Sequence, residues 1–158
     1  MEKIKALLLP LALIFAAIFT FDLGARYGAS NTRAVALTGQ LNNYLNLYNQ
    51  VGAQADARSK ANLEAAIDNF VVTGALERDA WYLRFKDEPK ASLEAALTKA
   101  LSLRGDAVGQ RFEALHDAEG GEGAQKLSDR RLAEIRTALE RAQIDLLEAA
   151  PQQAPDPE

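Results

Sequence analysis

The chain opens with a long apolar stretch that is bounded by charged residues. Residues 6–21 carry no charge. Extending the stretch to Ile4 and Ala25, with Lys5 and Asp22 near its ends, gives the roughly 20 residues that a helix needs to cross a bilayer. The pattern predicts an N-terminal transmembrane anchor over residues 1–28.

A cleaved signal peptide is the alternative for the same segment. Its basic start is present, but its small-x-small cleavage site is poor, because Leu23 lies two positions before Ala25. We therefore favour an uncleaved anchor. Lysines before the apolar stretch favour a cytoplasmic N terminus. We expect a membrane protein, in a bacterium an inner-membrane protein with its C-terminal domain in the periplasm.

Small residues recur every four positions along this first helix. A ridge of this kind lets a second helix approach closely within lipid. It predicts self-association or packing on a partner's membrane helix, whereas chance recurrence of common membrane-helix residues is the simpler interpretation. The ridge consists of Ala12, Ala16, Thr20, Gly24 and Gly28.

Beyond the anchor, apolar residues recur at spacings of three and four, which is typical of amphipathic helices. The stripes run over residues 37–51, 63–71, 93–115 and 132–146. No such helix can bury its stripe alone, so the stripes predict helices that pack together.

The predicted fold is all-α, with one N-terminal transmembrane helix followed by a small three- or four-helix bundle over residues 29–150. An elongated coiled-coil hairpin is the alternative. The first bundle helix continues from the anchor, either directly or after a break near residues 28–31. Residues 151–158 are rich in proline and are expected to form a disordered tail.

Single residues predict the boundaries of the later helices. We expect Gly74 to stop or turn the second helix and Pro89 to lie at the start of the third. Gly105 and Gly109 predict a kink or a close helix contact. Ser128 is expected to cap the last helix.

Composition excludes several classes of function. Residues 34–158 carry 14 basic and 20 acidic side chains, so this part would be repelled by phosphate backbones, and nucleic acid is not an expected partner. The chain has no cysteine. This rules out disulfides, a thiolate zinc site, a catalytic cysteine and a lipoprotein anchor.

The sequence contains few of the residue patterns that enzymes use for catalysis. Its one histidine, His116, is expected to be a surface residue before a turn. Neither a nucleophile elbow, nor a phosphate-binding loop, nor a dinucleotide fingerprint is present. We predict a non-enzymatic protein without a metal or cofactor.

Two groups of residues are candidates for interaction. Aromatic residues with arginine dominate interface hot spots, although ordinary core packing is the simpler interpretation. Asparagine is a poor helix former, so several in one helix require a reason, which is a partner, lipid headgroups, buried polar neighbours or solvation. The first group is Trp81, Tyr82, Arg84 and Phe85, and the second is Asn42, Asn46 and Asn49.

These observations predict a single-pass, membrane-anchored helical protein with an extracytoplasmic bundle. We expect the bundle to act as a protein-interaction or envelope-assembly module. Its expected partners are the lipid bilayer and a protein, either a different one or a second copy of the chain. The alternative is a ligand-sensing module that signals through a partner membrane protein.

Overall fold

The computed structural model describes residues 2–79, 87–117 and 127–148, with the backbone alone for residues 2–13, Ser30 and Asp87. Over these ranges the chain is all-helical and the helices form a bundle, which confirms the predicted fold class. The elements are α1 (Glu2–Val51), α2 (Ala57–Arg78), α3 (Asp87–Arg104), α4 (Ala107–Asp117), α5 (Asp129–Gln143) and a π-helical turn (Ile144–Glu148).

α1 is one continuous helix of 50 residues, so the possible break near residues 28–31 does not occur. Its side chains are mostly exposed from Ile14 to Ala29. Burial begins at Ala34 and continues through Leu37, Leu41 and Leu45. The predicted stripe is therefore confirmed over most of its length, although Val51 at its end is 40% exposed.

The core lies where the second half of α1 packs against α2 and α3. Tyr44 of α1 packs on Phe70 of α2, with ring centroids 5.3 Å apart. α5 packs on α2 and α4. The largest fully buried apolar side chains are Leu41, Ile67, Leu93, Leu97, Leu101, Val71 and Val108.

Short polar side chains begin two of the helices. Ser128 caps α5 as predicted, since its hydroxyl accepts the backbone N–H of Arg131 at 3.3 Å. Asp56 caps α2 without having been predicted, and its Oδ1 accepts the N–H groups of Arg58 and Ser59, each at 2.9 Å. Hydrogen bonds from Ser59 lower the pKa of the Asp56 carboxyl group.

Three glycines test the predicted helix boundaries and contacts. Gly74 does not stop α2 but lies within it, where an added Cβ would come within 3.0 Å of Leu97 Cδ2. A small residue there lets α3 approach closely. Gly105 has a φ of 51° and lies between α3 and α4, so the residues of the third stripe form two helices. The bundle therefore contains more helices among the described residues than the three or four that were expected. An added Cβ at Gly109 meets nothing within 4 Å, and the close contact expected there is absent.

Among the residues that the structure describes, no helix combines the length and apolar character required to cross a membrane. The predicted transmembrane span is therefore not supported by the structure and stays a prediction.

Candidate functional site

The three asparagines of the predicted amide group lie on one side of α1, next to α3. Asn42 is half-buried, whereas Asn46 and Asn49 are exposed. They line a surface depression of about 490 Å³. Its other lining residues are Leu45, Lys99, Ser102 and Leu103.

The same side of α1 forms a second depression closer to the N terminus. This one has a volume of about 540 Å³ and is lined by Asn31, Val35, Thr38 and Gly39 of α1 together with Glu88, Pro89 and Ser92 of α3. Residues 31–39 of α1 lie beside residues 88–92 of α3, and residues 42–49 of α1 lie beside residues 99–103 of α3. The two helices therefore run in the same direction. We name this side of α1 the amide face: Asn31, Val35, Thr38, Gly39, Asn42, Asn46 and Asn49.

The amide face differs from an ordinary solvated helix surface because it lacks charge. Residues 34–51 contain no Asp, Glu, Lys or Arg, although 25% of the chain is charged. Val35 on this face is nevertheless 57% exposed. The exposed side of a bundle helix usually carries charged residues. The amide face is therefore an uncharged surface with amide and apolar side chains.

One atom of the amide face lacks a hydrogen bond. Asn31 Oδ1 is buried and finds no donor among the described residues. Thr38, by contrast, donates its hydroxyl to the carbonyl oxygen of Ala34 at 2.9 Å. A buried acceptor without a partner costs about 1–3 kcal/mol.

The predicted ridge of small residues has no packing partner within the described part of the chain. Ala16, Thr20, Gly24 and Gly28 are exposed, and the Thr20 hydroxyl donates to the carbonyl oxygen of Ala16. A Cβ added to Gly24 or Gly28 would meet nothing within 4 Å. The side chain of Ala12 lies outside the description, and the predicted packing role of the ridge stays a prediction.

The aromatic group lies outside the described residues. Trp81, Tyr82, Arg84 and Phe85 fall between the end of α2 and the start of α3. Neither their predicted interaction role nor the core-packing alternative is tested.

A buried polar network links α1, α2 and α3. Arg104 binds Asp68 through two hydrogen bonds, Nε to Oδ1 at 2.9 Å and Nη2 to Oδ2 at 3.1 Å. Its Nη1 lies 3.3 Å from Glu64 Oε1, which also accepts the hydroxyl of Tyr48 at 3.0 Å. The carboxylate of Asp68 raises the pKa of Arg104 above its ordinary value.

Sequence reasoning missed this network, although the sequence carries a signal for it. Arg104 falls on the apolar stripe between Leu101 and Val108, and Glu64 and Asp68 are acidic residues one helical turn apart. A charge within a stripe indicates a buried pair. Because the charged groups of the network face one another, cohesion of the three helices accounts for it without a catalytic role.

His116 connects the end of α4 to the start of α5. Its Nδ1 lies 3.0 Å from Asp117 Oδ1, and its Nε2 lies 2.6 Å from Asp129 Oδ1. Hydrogen bonds to Asp117 and then to Asp129 raise the pKa of His116 above 6.5. The imidazole is thus held by two carboxylates, which the sequence did not predict. Within the described ranges no group of three or more His, Cys, Asp or Glu residues could hold a metal ion.

Comparison of the chain with protein-family models, with curated proteins and with solved structures found no significant match.

Proposed function

We propose that this protein is a non-enzymatic, membrane-anchored helical module whose bundle lies outside the cytoplasm and binds a protein partner or supports an envelope assembly. The observation that carries the proposal is the exposure of the apolar side chains over residues 14–21 of α1.

These side chains are large and uncovered. The exposed fractions are 56% for Ile14, 68% for Phe15, 62% for Ile18, 67% for Phe19 and 80% for Phe21. Burying such a side chain fully is worth about 1.5–3 kcal/mol. Their combined exposure to water would be costly, and lipid would remove that cost.

The apolar character extends around the helix. The only polar side chain in residues 14–21 is Thr20, whose hydroxyl is hydrogen-bonded within the helix. A helix that is apolar on all sides belongs in a protein core or in a membrane. The described bundle does not cover this segment, which favours the membrane. The predicted span begins earlier, at Ile4, among residues whose side chains the structure does not describe.

A polar part of the same helix separates this segment from the bundle. It contains the ion pair between Arg26 and Asp22, at 2.8 Å, and the contact of Arg33 with Glu77 of α2, at 3.6 Å. From Phe21 to Ala34 a helical rise of 1.5 Å per residue gives about 20 Å. Because α1 is continuous, it would hold the bundle at about this distance from the lipid.

The amide face supports the interaction role. It is uncharged, partly apolar and open over the second half of α1, whereas the network of Arg104 and Asp68 and the core occupy the inner side. No observation among the described residues favours the ligand-sensing alternative over this proposal.

Membrane fractionation of the full chain tests the anchor. We expect the full chain in the membrane fraction after alkaline washing, and a variant with Phe15→Ser, Ile18→Ser and Phe19→Ser in the supernatant. The matched control replaces three exposed apolar residues of the bundle, Leu47→Ser, Leu115→Ser and Ile144→Ser, and should stay with the membrane. A soluble full chain, or equal release of both variants, would contradict the proposal.

Mild detergent extraction tests the interaction role. We expect the chain to be recovered in a stoichiometric complex, either with another protein or with itself. Recovery of a monomer alone, at the concentration found in the membrane, would count against an interaction module.

A further inference from the structure

We infer that the partner of the amide face is a second copy of this chain, and that the two α1 helices pair side by side in parallel. The inference rests on the proposed membrane anchor for the direction of pairing. It adds the identity of the partner and the residues that meet.

The amide face has the repeat of a helix-pairing seam. Gly28, Val35, Asn42 and Asn49 follow one another at seven-residue spacing, and Gly24, Asn31 and Thr38 form a second series with the same spacing. Two such series, offset by three and four residues, place all their members on one side of a helix. The seam thus extends from the polar part of α1 to the middle of the bundle.

The seam is partly open: Gly24, Gly28, Val35 and Asn49 are exposed, whereas Asn31, Thr38 and Asn42 are half-buried. A Cβ added to Gly24, Gly28 or Gly39 would meet nothing within 4 Å, so these positions leave room for another helix backbone. Val35 is 57% exposed, and Asn46 and Asn49 are exposed beside it. Small residues at helix contacts allow close approach, and amides then hydrogen-bond across the contact.

The absence of charge favours a second copy over a different protein. In a parallel two-fold pair each seam residue lies opposite its own copy, so a charged residue would meet a like charge. An amide carries both a donor and an acceptor, and therefore complements itself. A different protein would impose no such restriction, because it could offer the opposite charge. Residues 34–51 contain no charged side chain, as pairing with a second copy requires.

Two further observations agree with a parallel pair. Two copies anchored through the same segment in the same membrane have parallel α1 helices. Asparagine at seam positions favours parallel pairs in fixed register, because each amide meets its counterpart.

Single cysteines test the pairing, because the chain has no cysteine of its own. We expect Asn42→Cys and Val35→Cys, in the full chain in membranes, to form disulfide-linked dimers under mild oxidation. A disulfide needs Cα atoms within about 7 Å. Residues 35 and 42 can both meet their own copies at this distance only in an in-register parallel pair. The matched control is Asn43→Cys, one position around the helix and more exposed than Asn42, which should stay monomeric.

Charge substitutions provide a second test that needs no cross-link. Asn42→Asp should weaken self-association by about tenfold or more, because two like charges then oppose each other. Asn43→Asp is the control and should leave it unchanged. Co-expression of the Asn42→Asp chain with an Asn42→Lys chain should restore dimers of mixed composition, which only contact between the two copies of residue 42 explains.

The outcomes separate this inference from the proposed function. A membrane-bound chain that is monomeric, or that cross-links equally at residues 42 and 43, would overturn the inference and leave the anchor standing. A chain found in the soluble fraction that still cross-links at residue 42 would overturn the anchor and leave the pairing standing.

Discussion

The two halves of α1 carry similar apolar side chains in opposite environments. Ile18 and Phe19 in the first half are 62% and 67% exposed, whereas Leu41 and Leu45 in the second half are 0% and 6% exposed. The helix is continuous between them, so the backbone does not cause the difference. The second half meets α2 and α3, and the first half meets nothing that the structure describes. This exposed apolar surface is what the proposed membrane anchor would cover.

The outer faces of the helices differ as well. α5 exposes Arg130, Arg131 and Glu134, which form ion pairs at 3.1 Å, as a helix surface in water commonly does. The outer face of α1 from Ala34 to Val51 has no charge. The two faces therefore differ in charge, and the proposed pairing through α1 would account for the difference.

The largest expected effect concerns the buried polar network of Tyr48, Glu64, Asp68 and Arg104, which links α1, α2 and α3. Asp68→Ala removes both hydrogen bonds between Asp68 and Arg104 and leaves Glu64 as the carboxylate beside Arg104. Breaking a buried pair of this kind costs about 3–5 kcal/mol. Chemical denaturation followed by circular dichroism measures the loss. Asn62→Ala, at an exposed position of α2, is the control and should lower the free energy of unfolding by less than about 0.5 kcal/mol. Equal losses in the two variants would show that the network does not hold the helices together.

A somewhat smaller effect compares the two halves of α1 directly. Leu41→Ala should lower the free energy of unfolding by about 3 kcal/mol, since it removes a fully buried side chain from the core. Ile18→Ala, in the exposed half, should leave bundle unfolding unchanged and weaken membrane association instead. Unfolding in detergent and membrane partitioning give the two readouts. A loss of bundle stability from Ile18→Ala would mean that the first half packs on the bundle after all.

The smallest effect lies at the junction of α4 and α5 and does not involve α1. Because the folded-state pKa of His116 is raised above 6.5, the protonated ring stabilises the fold fully below about pH 6.5. That stabilisation is lost as the pH rises through the folded-state pKa. The single histidine makes its NMR titration unambiguous, and His116→Gln should remove this part of the pH dependence. A pKa at or below 6.5 would contradict the two-carboxylate arrangement.

Sequence patterns predicted the core because apolar periodicity reports which side of a helix is buried. Leu37, Leu41, Leu97, Ile135 and Leu139 all lie on predicted stripes, and all are buried. Patterns within one helix cannot show which helices become neighbours.

The predictions that were wrong have this same cause, because they depended on which helices become neighbours. Gly74 was predicted as a stop, but a glycine also serves where another helix comes close, as Leu97 does here. The break considered near residues 28–31 does not occur, because α1 continues through these residues to its packing on α2 and α3. The asparagines of the candidate site were visible in the sequence, whereas the contribution of α3, with Lys99 and Ser102, needed the fold.

The most direct test of the account is the reactivity of single cysteines along α1 toward a water-soluble maleimide, measured on the full chain in native membranes with the extracytoplasmic side accessible. The account predicts that Ile18→Cys is protected by lipid and that Ala29→Cys and Ala36→Cys react readily, although all three positions are exposed in the structure. Equal reactivity at residues 18, 29 and 36 would contradict the claim that one helix joins a lipid-covered segment to a bundle outside the membrane.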